Sequence, residues 1–249
     1  NQLDITKNFK GKTLVIPGNH DWYSGLDGLN AQEAIVKKYF DDKKSFLPKN
    51  GCPIDDINIS KDIKLIAIDT EWVIANWDNY PGINKNCNIK TREDFFTEFK
   101  DLIIKNQGKR IIVALHHPVI SSGTHAGFHS AKSHLFPFKS KIPVPVITSA
   151  INILRSSSGI SPADLNNQHY ADLANRLKSL VQDKENIIFV SGHDHNLQYH
   201  EDGNIRQIIS GAGSKVDPST ITEHTDFSYG GNGFAVLNIR KDQSTDVEY

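Results

Sequence analysis

The residues best suited to chemistry are two histidines two positions apart, His193 and His195, in the segment 191–199. They follow the apolar run 187–190, which is typical of a buried strand. Gly192 permits a tight backbone where the loop leaves that strand. A loop of this kind can direct both imidazoles into one crevice, and imidazole is a common metal ligand. The spacing therefore predicts a metal site at this strand end.

Two other loops carry similar side chains. Gly-Asn-His-Asp, at 18–21, follows a predicted strand at 13–17, and His-His-Pro, at 116–118, follows a predicted strand at 110–115. Ligands in layered α/β folds bind where loops leave the carboxyl ends of strands, so the three loops can converge. Taken singly each loop is weak, because a histidine at a strand end is more often a structural hydrogen-bonding residue than a ligand.

The elements that must position these loops alternate between helix and strand over the first two thirds of the chain, and strands dominate the last third. This order predicts an α/β layered sandwich with helices outside the sheets. Residues 72–91 are predicted to be a loop. Predicted helices cover 28–40, the segment after an N-cap at Thr91, and 163–182, and further predicted strands cover 63–69, 205–210 and 234–239.

No repeat divides the chain, so a single domain is predicted over 1–249, with an insertion at about 121–164. The insertion is either a lid near the site or a surface excursion that only packs down. No apolar run is long enough to suggest a transmembrane segment. Cys52 and Cys87 are too few for a zinc site, and they form either one disulfide or two free thiols.

The nearly balanced charge of the chain limits the kinds of partner that it can attract. The chain has 28 Lys and Arg against 29 Asp and Glu, so it has no bulk field to gather a nucleic acid polymer or an anionic membrane. Recognition of phosphate must then be local. A small anionic ester fits better than a polymer.

Together and in this order, the three loops resemble the calcineurin-like metallophosphoesterase family, whose signature includes G-N-H-D/E, a strand-terminal His and G-H-x-H. The resemblance covers nearly the whole chain. Segments 192–199, 210–213 and 233–235 are similar to the small purple, tartrate-resistant type, acid phosphatases. The resemblance implies a layered αββα sandwich of the metallophosphoesterase type.

It also implies two divalent or trivalent metal ions (iron, manganese or zinc), whose identity the sequence leaves open. The implied reaction is hydrolysis of phosphate monoesters by a metal-activated hydroxide, with His20 as the general acid, oriented by Asp21. Asn19, His116 and His193 match ligands of one ion and His195 matches a ligand of the other. The implied residues are Asn19, His116, His193 and His195 as metal ligands, His20 and Asp21 as catalytic residues, and His117, His125 and His129 as residues around the substrate.

The family's other metal-binding motifs, an N-terminal Asp motif and a bridging Asp motif, belong before Gly18, and 1–17 contains neither. Either the N-terminal part of the natural protein is absent from this chain, or this is a degenerate homologue that has lost catalysis. The first case predicts an additional N-terminal segment that supplies the first strands of one sheet. A covered edge strand at 13–17 would contradict it.

Two other functions stay open from the sequence. One is a phosphodiesterase or nucleotide pyrophosphatase of the same family, and the other is a non-catalytic metallophosphoesterase-like binding module. The cysteine pair and the similarity to acid phosphatases predict an extracytoplasmic location, periplasmic or secreted.

Overall fold

The computed structural model describes residues 2–128 and 161–249. The chain divides into two compact units, Asn1–His116 and His117–Tyr249. The single domain predicted over 1–249 stays a prediction. Most of the predicted insertion, 129–160, lies outside the described residues.

The first unit contains three paired strands, β1 (Ile54–Asn58), β2 (Ile63–Ile68) and β3 (Arg110–Leu115). β1 runs antiparallel to β2, and β2 runs parallel to β3. The register places Ile68 beside Leu115, so the chain leaves β2 and β3 at the same edge. β2 and β3 are rich in β-branched residues and largely buried, as expected for parallel strands.

Helices of the first unit match two predictions and correct a third. The predicted helix at 28–40 is α1 (Gly25–Phe40), and the helix after Thr91 is α3 (Arg92–Lys105). The Thr91 side chain accepts the backbone N–H of Asp94, which confirms the N-cap. The predicted loop at 72–91 is wrong at its start, because a π-helical turn at Trp72–Asn76 leads into the single turn α2 (Trp77–Asn79). The indole of Trp72 is buried and packs 4.9 Å from that of Trp77, which stabilises these turns.

The prediction of a strand at 13–17 is wrong, because this segment forms no paired strand. Val15 makes one isolated parallel bridge with Phe46, through the bonds Val15 N–H to Ser45 O and Leu47 N–H to Val15 O. The apolar side chains of this segment still pack, since Leu14 and Ile16 contact a buried cluster with Leu47. The segment therefore serves as an extended lead into the loop at 18–21.

The second unit has four paired strands in the order β4 (Ile187–Ser191), β6 (Ile205–Ser210), β5 (Leu197–Asp202) and β7 (Thr225–Tyr229). β4 and β6 are parallel, and β5 is antiparallel to both β6 and β7. A separate hairpin pairs β8 (Val236–Ile239) with β9 (Thr245–Glu248). The predicted strand at 234–239 thus begins two residues later.

The long helix of the second unit is α4 (Gln168–Val181), which begins later than the predicted 163–182. Its start is fixed by Asn167, whose side chain accepts the backbone N–H groups of His169 and Tyr170. Residues 163–165 are consequently released from the helix. They lie beside two of the candidate site histidines.

Cys52 and Cys87 form a disulfide, with 5.6 Å between their Cα atoms, which decides the alternatives left open by the sequence. The bond joins the segment before β1 to the segment before α3. Within the described ranges, no helix combines the length and apolar character needed to cross a membrane. Helices combined with mixed parallel and antiparallel strands confirm the predicted α/β class.

Candidate functional site

The loop at 18–21 is closed by its own hydrogen bonds. The Gly18 N–H donates to Asp21 Oδ2 at 2.7 Å, and the Asp21 N–H donates to the Gly18 carbonyl at 3.1 Å. These bonds wind Asn19–Trp22 into a short 3₁₀ helix. Trp22 is buried and donates its indole N–H to Asp69 Oδ2 at 2.9 Å, which ties the loop to the end of β2.

Asn19 and His116 meet within the first unit. The Asn19 Oδ1 and His116 Nε2 atoms lie 3.0 Å apart, although the two residues are 97 positions apart in the chain. A Cβ atom at Gly18 would lie 2.7 Å from the His116 ring, so only glycine allows this approach. Two ligands about 2.1 Å from one ion, at bond angles near 90–110°, would lie about 3.0–3.4 Å apart. The donor atoms of Asn19 and His116 therefore fit a shared metal ion.

His20 and Asp21 are placed differently. The imidazole of His20 is exposed and stacks on the Tyr23 ring, with ring centroids 4.7 Å apart. The carboxylate of Asp21 accepts the Gly18 amide and so closes the loop. Its predicted role in orienting His20, and the acid role of His20 itself, stay predictions.

Asp69 is a buried carboxyl that sequence reasoning did not single out. It directly follows β2 and accepts the Trp72 N–H at 3.1 Å in addition to the Trp22 indole. Burial raises its pKa to about 8, and burial also raises the pKa of Glu71 to about 7. An acidic residue directly after the apolar run 65–68 was the available signal.

In the second unit, His193 is the centre of a group of aromatic rings. Its backbone is left-handed, with φ of 65°, a conformation that is uncommon outside glycine and recurs at functional sites. His193 Nε2 lies 2.7 Å from the carbonyl of Ala163. A carbonyl only accepts, so Nε2 carries the proton and Nδ1 carries the lone pair that a metal needs. His117 is buried, and its ring centroid lies 4.2 Å from that of His193.

His125 lies on the same group, 4.2 Å from His193 between ring centroids. Its Nδ1 lies 2.9 Å from Oδ1 of Asp164, a carboxylate that is buried. The other histidine predicted around the substrate, His129, lies outside the described residues.

His195 is held by a carboxylate as well. Its Nδ1 lies 2.6 Å from Asp217 Oδ2, and the Asp217 N–H donates to the His195 carbonyl at 2.8 Å. This two-point contact fixes the ring and directs Nε2 away from Asp217, an arrangement typical of metal-ligating histidines. Nothing in the sequence spacing pointed to Asp217.

Between the two histidines, Asp194 faces inward. Its carboxylate accepts the Ser121 hydroxyl and, at 3.2 Å, the backbone N–H of His125. A Cβ atom at Gly211 would lie only 2.0 Å from the Asp194 carbonyl, so that glycine is required for the turn to pack here. Burial raises the pKa of Asp194. The buried carboxyl thus anchors the loop that presents His193 and His195.

Comparison with known proteins matches the geometry to a family. The model of a family described as calcineurin-like phosphoesterase covers residues 2–211. The chain belongs to the calcineurin-like phosphoesterase family. This confirms the resemblance read from the three loops, and the family is metal-dependent. His117 and His193, whose ring nitrogens lie within 4.8 Å of one another, are among the side chains that can hold an ion.

Tartrate-resistant acid phosphatase type 5 of Oryctolagus cuniculus is 36% identical over 84 residues, which cover 29% of this chain and 26% of that protein. A solved structure described as GAP50, the anchor in the inner membrane complex of Plasmodium, superposes with a TM-score of 0.53 at 19% identity. That match covers 92% of this chain and 60% of the other. The chain thus spans about a quarter of the curated relative and three fifths of the structural one, and the structural match supports the shared fold.

Proposed function

We propose that this protein is an acid-phosphatase-like phosphomonoesterase whose site includes Asn19, His116, His193 and His195 as metal ligands. The observation that carries the proposal is the 3.0 Å contact between Asn19 Oδ1 and His116 Nε2. An amide oxygen and an imidazole nitrogen from distant loops are brought together at a glycine that leaves room for the ring. Both are ligand types suited to iron, manganese or zinc.

Different residues of the chain would bind the metal ions and the substrate. Two bound ions would supply positive charge to the phosphate and lower the pKa of an attacking water. Asn19 and His116 present their donor atoms together, while His193 is fixed by Ala163 with Nδ1 as its ligand atom. His195 is fixed by Asp217 with Nε2 as its ligand atom. His117 and His125, which lie beside His193, would border the substrate, and the family resemblance adds His129 to this set.

His20 is the general acid of the proposal. Its imidazole is exposed and stacked on Tyr23, which leaves it reachable by a leaving group. A positioned acid contributes about 10²–10⁴-fold when the leaving group is a poor one. Loss of His20 should therefore slow an alkyl phosphate far more than p-nitrophenyl phosphate, whose leaving group needs little protonation.

The proposal is tested in the full-length protein with p-nitrophenyl phosphate and glycerol phosphate, in the presence of iron, manganese or zinc salts. We expect His116→Ala to lower kcat/KM for both substrates at least 100-fold, and to lower bound metal measured by mass spectrometry. We expect His20→Ala to act mainly on glycerol phosphate. The matched control is His224→Ala, which removes an exposed histidine that pairs with Asp202. Unchanged hydrolysis in both site variants would refute the proposal.

The alternatives give other outcomes in the same experiment. Preference for bis-p-nitrophenyl phosphate or a dinucleotide would favour a phosphodiesterase or nucleotide pyrophosphatase. No hydrolysis, with one equivalent of metal or less, would favour a non-catalytic binding module. We place the protein outside the cytoplasm, periplasmic or secreted, on the strength of the Cys52–Cys87 disulfide.

A further inference from the structure

A short segment before α4 makes three contacts with candidate site histidines of the second unit. The Ala163 carbonyl accepts from His193 Nε2 at 2.7 Å, and the Asp164 carboxylate contacts His125 Nδ1 at 2.9 Å. The Leu165 N–H donates to the His125 carbonyl at 2.8 Å. Three consecutive residues thus contact two histidines, and they bind His125 at both its ring and its backbone carbonyl.

The two contacts have opposite effects on the rings. A carboxylate accepts hydrogen bonds, so the proton of His125 is held on Nδ1 and its lone pair is on Nε2. The proton of His193 is held on Nε2 and its lone pair is on Nδ1, because its partner is a backbone carbonyl. Adjacent residues of one segment therefore select opposite tautomers in rings that lie 4.2 Å apart.

We propose that Asp164 is a positioning residue that fixes the tautomer and orientation of His125, so that the Nε2 lone pair is the acceptor this ring offers to the P–OH group of a monoanionic phosphate. The proposal rests on the proposed function and deepens it. Asp164 is suited to the role because it is buried and its backbone is held in place. Its N–H donates to the Ser161 carbonyl at 3.1 Å, and its own carbonyl accepts the Asn167 N–H at 2.8 Å.

The competing interpretation is that Asp164 only closes the turn before α4. The backbone bonds to Ser161 and Asn167 would account for that without its carboxylate. A purely structural carboxylate would affect stability but leave the proton of His125 where it is. The tautomer of His125 is therefore the observable that separates the two interpretations.

The experiment uses the full-length protein, ¹⁵N-labelled and metal-free, at pH 8, where an ordinary imidazole is neutral. Long-range ¹H–¹⁵N correlation spectra identify the protonated nitrogen of each histidine. We expect His125 on Nδ1 in the wild type and in Asp164→Asn, whose amide oxygen can still accept, and a shift towards Nε2 in Asp164→Leu. His193 should remain on Nε2 in every variant. Asp172→Asn, an exposed acid on α4 paired with Arg176, is the matched control.

Binding of inorganic phosphate to the metal-loaded protein gives the second readout. At a pH where the phosphate still carries a proton, loss of the hydrogen bond from this charged ligand to Nε2 predicts about 10- to 100-fold weaker binding in Asp164→Leu, with Asp164→Asn between that variant and the wild type. The proposal is overturned by a wild-type His125 protonated on Nε2, by a tautomer unchanged in Asp164→Leu, or by unchanged phosphate binding. If Asp164→Leu does not fold, Asp164→Ala takes its place, and the tautomer of His125 in that variant decides. The spectra need no hydrolysis, so a failure of the proposed function is seen separately in the phosphatase assay.

Discussion

Asp69→Asn is the substitution whose effect can be worked out most directly from the structure. The carboxyl is buried and accepts hydrogen bonds on both oxygens, from the Trp22 indole and from the Trp72 amide. Burial outweighs these bonds and raises its pKa from 3.8 to about 8. The folded protein therefore keeps Asp69 protonated at pH values where the unfolded chain has already released the proton.

The sign of the pH dependence follows from this difference. Between about pH 4 and pH 8, unfolding releases one proton from Asp69, so the free energy of unfolding falls as the pH rises. Release of one proton lowers the free energy of unfolding by about 1.4 kcal/mol per pH unit. Between pH 4 and pH 7 the total is on the order of 4 kcal/mol. Asn has no proton to release, so Asp69→Asn removes this slope. It also loses one acceptor, which costs about 1–3 kcal/mol at low pH.

The assay is urea unfolding at several values between pH 4.5 and pH 8, followed by tryptophan fluorescence. All 3 tryptophans of the chain, at positions 22, 72 and 77, lie in the first unit, so the signal reports on the unit that contains Asp69. We expect the variant to be less stable than the wild type near pH 5, and the difference to shrink or reverse by pH 8. Asp172→Asn is the exposed control and should show no such trend.

The raised pKa of Glu71 adds a slope of the same sign to the wild type and the variant, so the comparison is made on their difference; the negative charge of Glu71 itself raises the pKa of Asp69. The reasoning fails if the stability difference between wild type and Asp69→Asn is constant across this pH range. It also fails if the wild type gains relative stability as the pH rises, because that would mean the carboxylate is favoured in the folded state.

Three further predictions concern single contacts. Gly18→Ala should displace the His116 ring, because the added Cβ would lie 2.7 Å from it. We expect the free energy of unfolding, measured in urea, to fall by about 1–3 kcal/mol and metal binding to weaken. An unshifted His116 ring in a crystal structure of the variant would contradict this. Reduction of the Cys52–Cys87 bond should lower the free energy of unfolding by about 4 kcal/mol, because the bond closes a loop with a sequence separation of 35 and so restricts the unfolded chain. A Cys52→Ser/Cys87→Ser protein as stable as the oxidised protein would contradict that. Thr91→Ala should cost about 1 kcal/mol through loss of the N-cap, measured by urea unfolding against Thr91→Ser, which should retain most of the stability.

The strands that the sequence predicted well are rich in isoleucine, such as β2 and β6, which carry three isoleucines each. β1 was missed because Ile54–Asn58 is rich in Asp and Asn, which are rare in strands. Its stability comes from its partner strand: β1 pairs along its whole length with β2, and Asp56 forms an ion pair with Lys64 of that strand. Tertiary pairing of this kind leaves no periodic signal in the sequence.

β5 was missed for a related reason. No strand was predicted at 197–202 because most of its residues are polar, yet Gln198 and His200 are buried and hydrogen-bonded to each other at 2.7 Å. Gln198 Oε1 also accepts the backbone N–H of Ser122 at 2.8 Å. A buried polar strand of this kind is stable only because its partners come from a distant segment, and single-sequence patterns do not reveal them.

The site likewise contains residues that the sequence could reveal and residues that it could not. Histidines at strand ends could be found from the sequence because glycine and histidine at fixed spacing leave a clear signal. The groups that orient those histidines could not be found, since Ala163, Asp164 and Asp217 lie outside the loops that carry the signature.

These orienting groups decide which nitrogen each ring presents. A neutral imidazole binds a metal or accepts a proton at one nitrogen only, so a histidine whose proton sits on the wrong atom contributes nothing at its site. In the second unit, His125 and His195 are held by carboxylates at Nδ1, and His193 is held by a carbonyl at Nε2. The signature can thus be complete in a protein whose orienting groups are lost. Its histidines would then be retained while metal and phosphate binding fall, so we expect Asp164 and Asp217 to be better markers of a working site in related chains than the histidines alone.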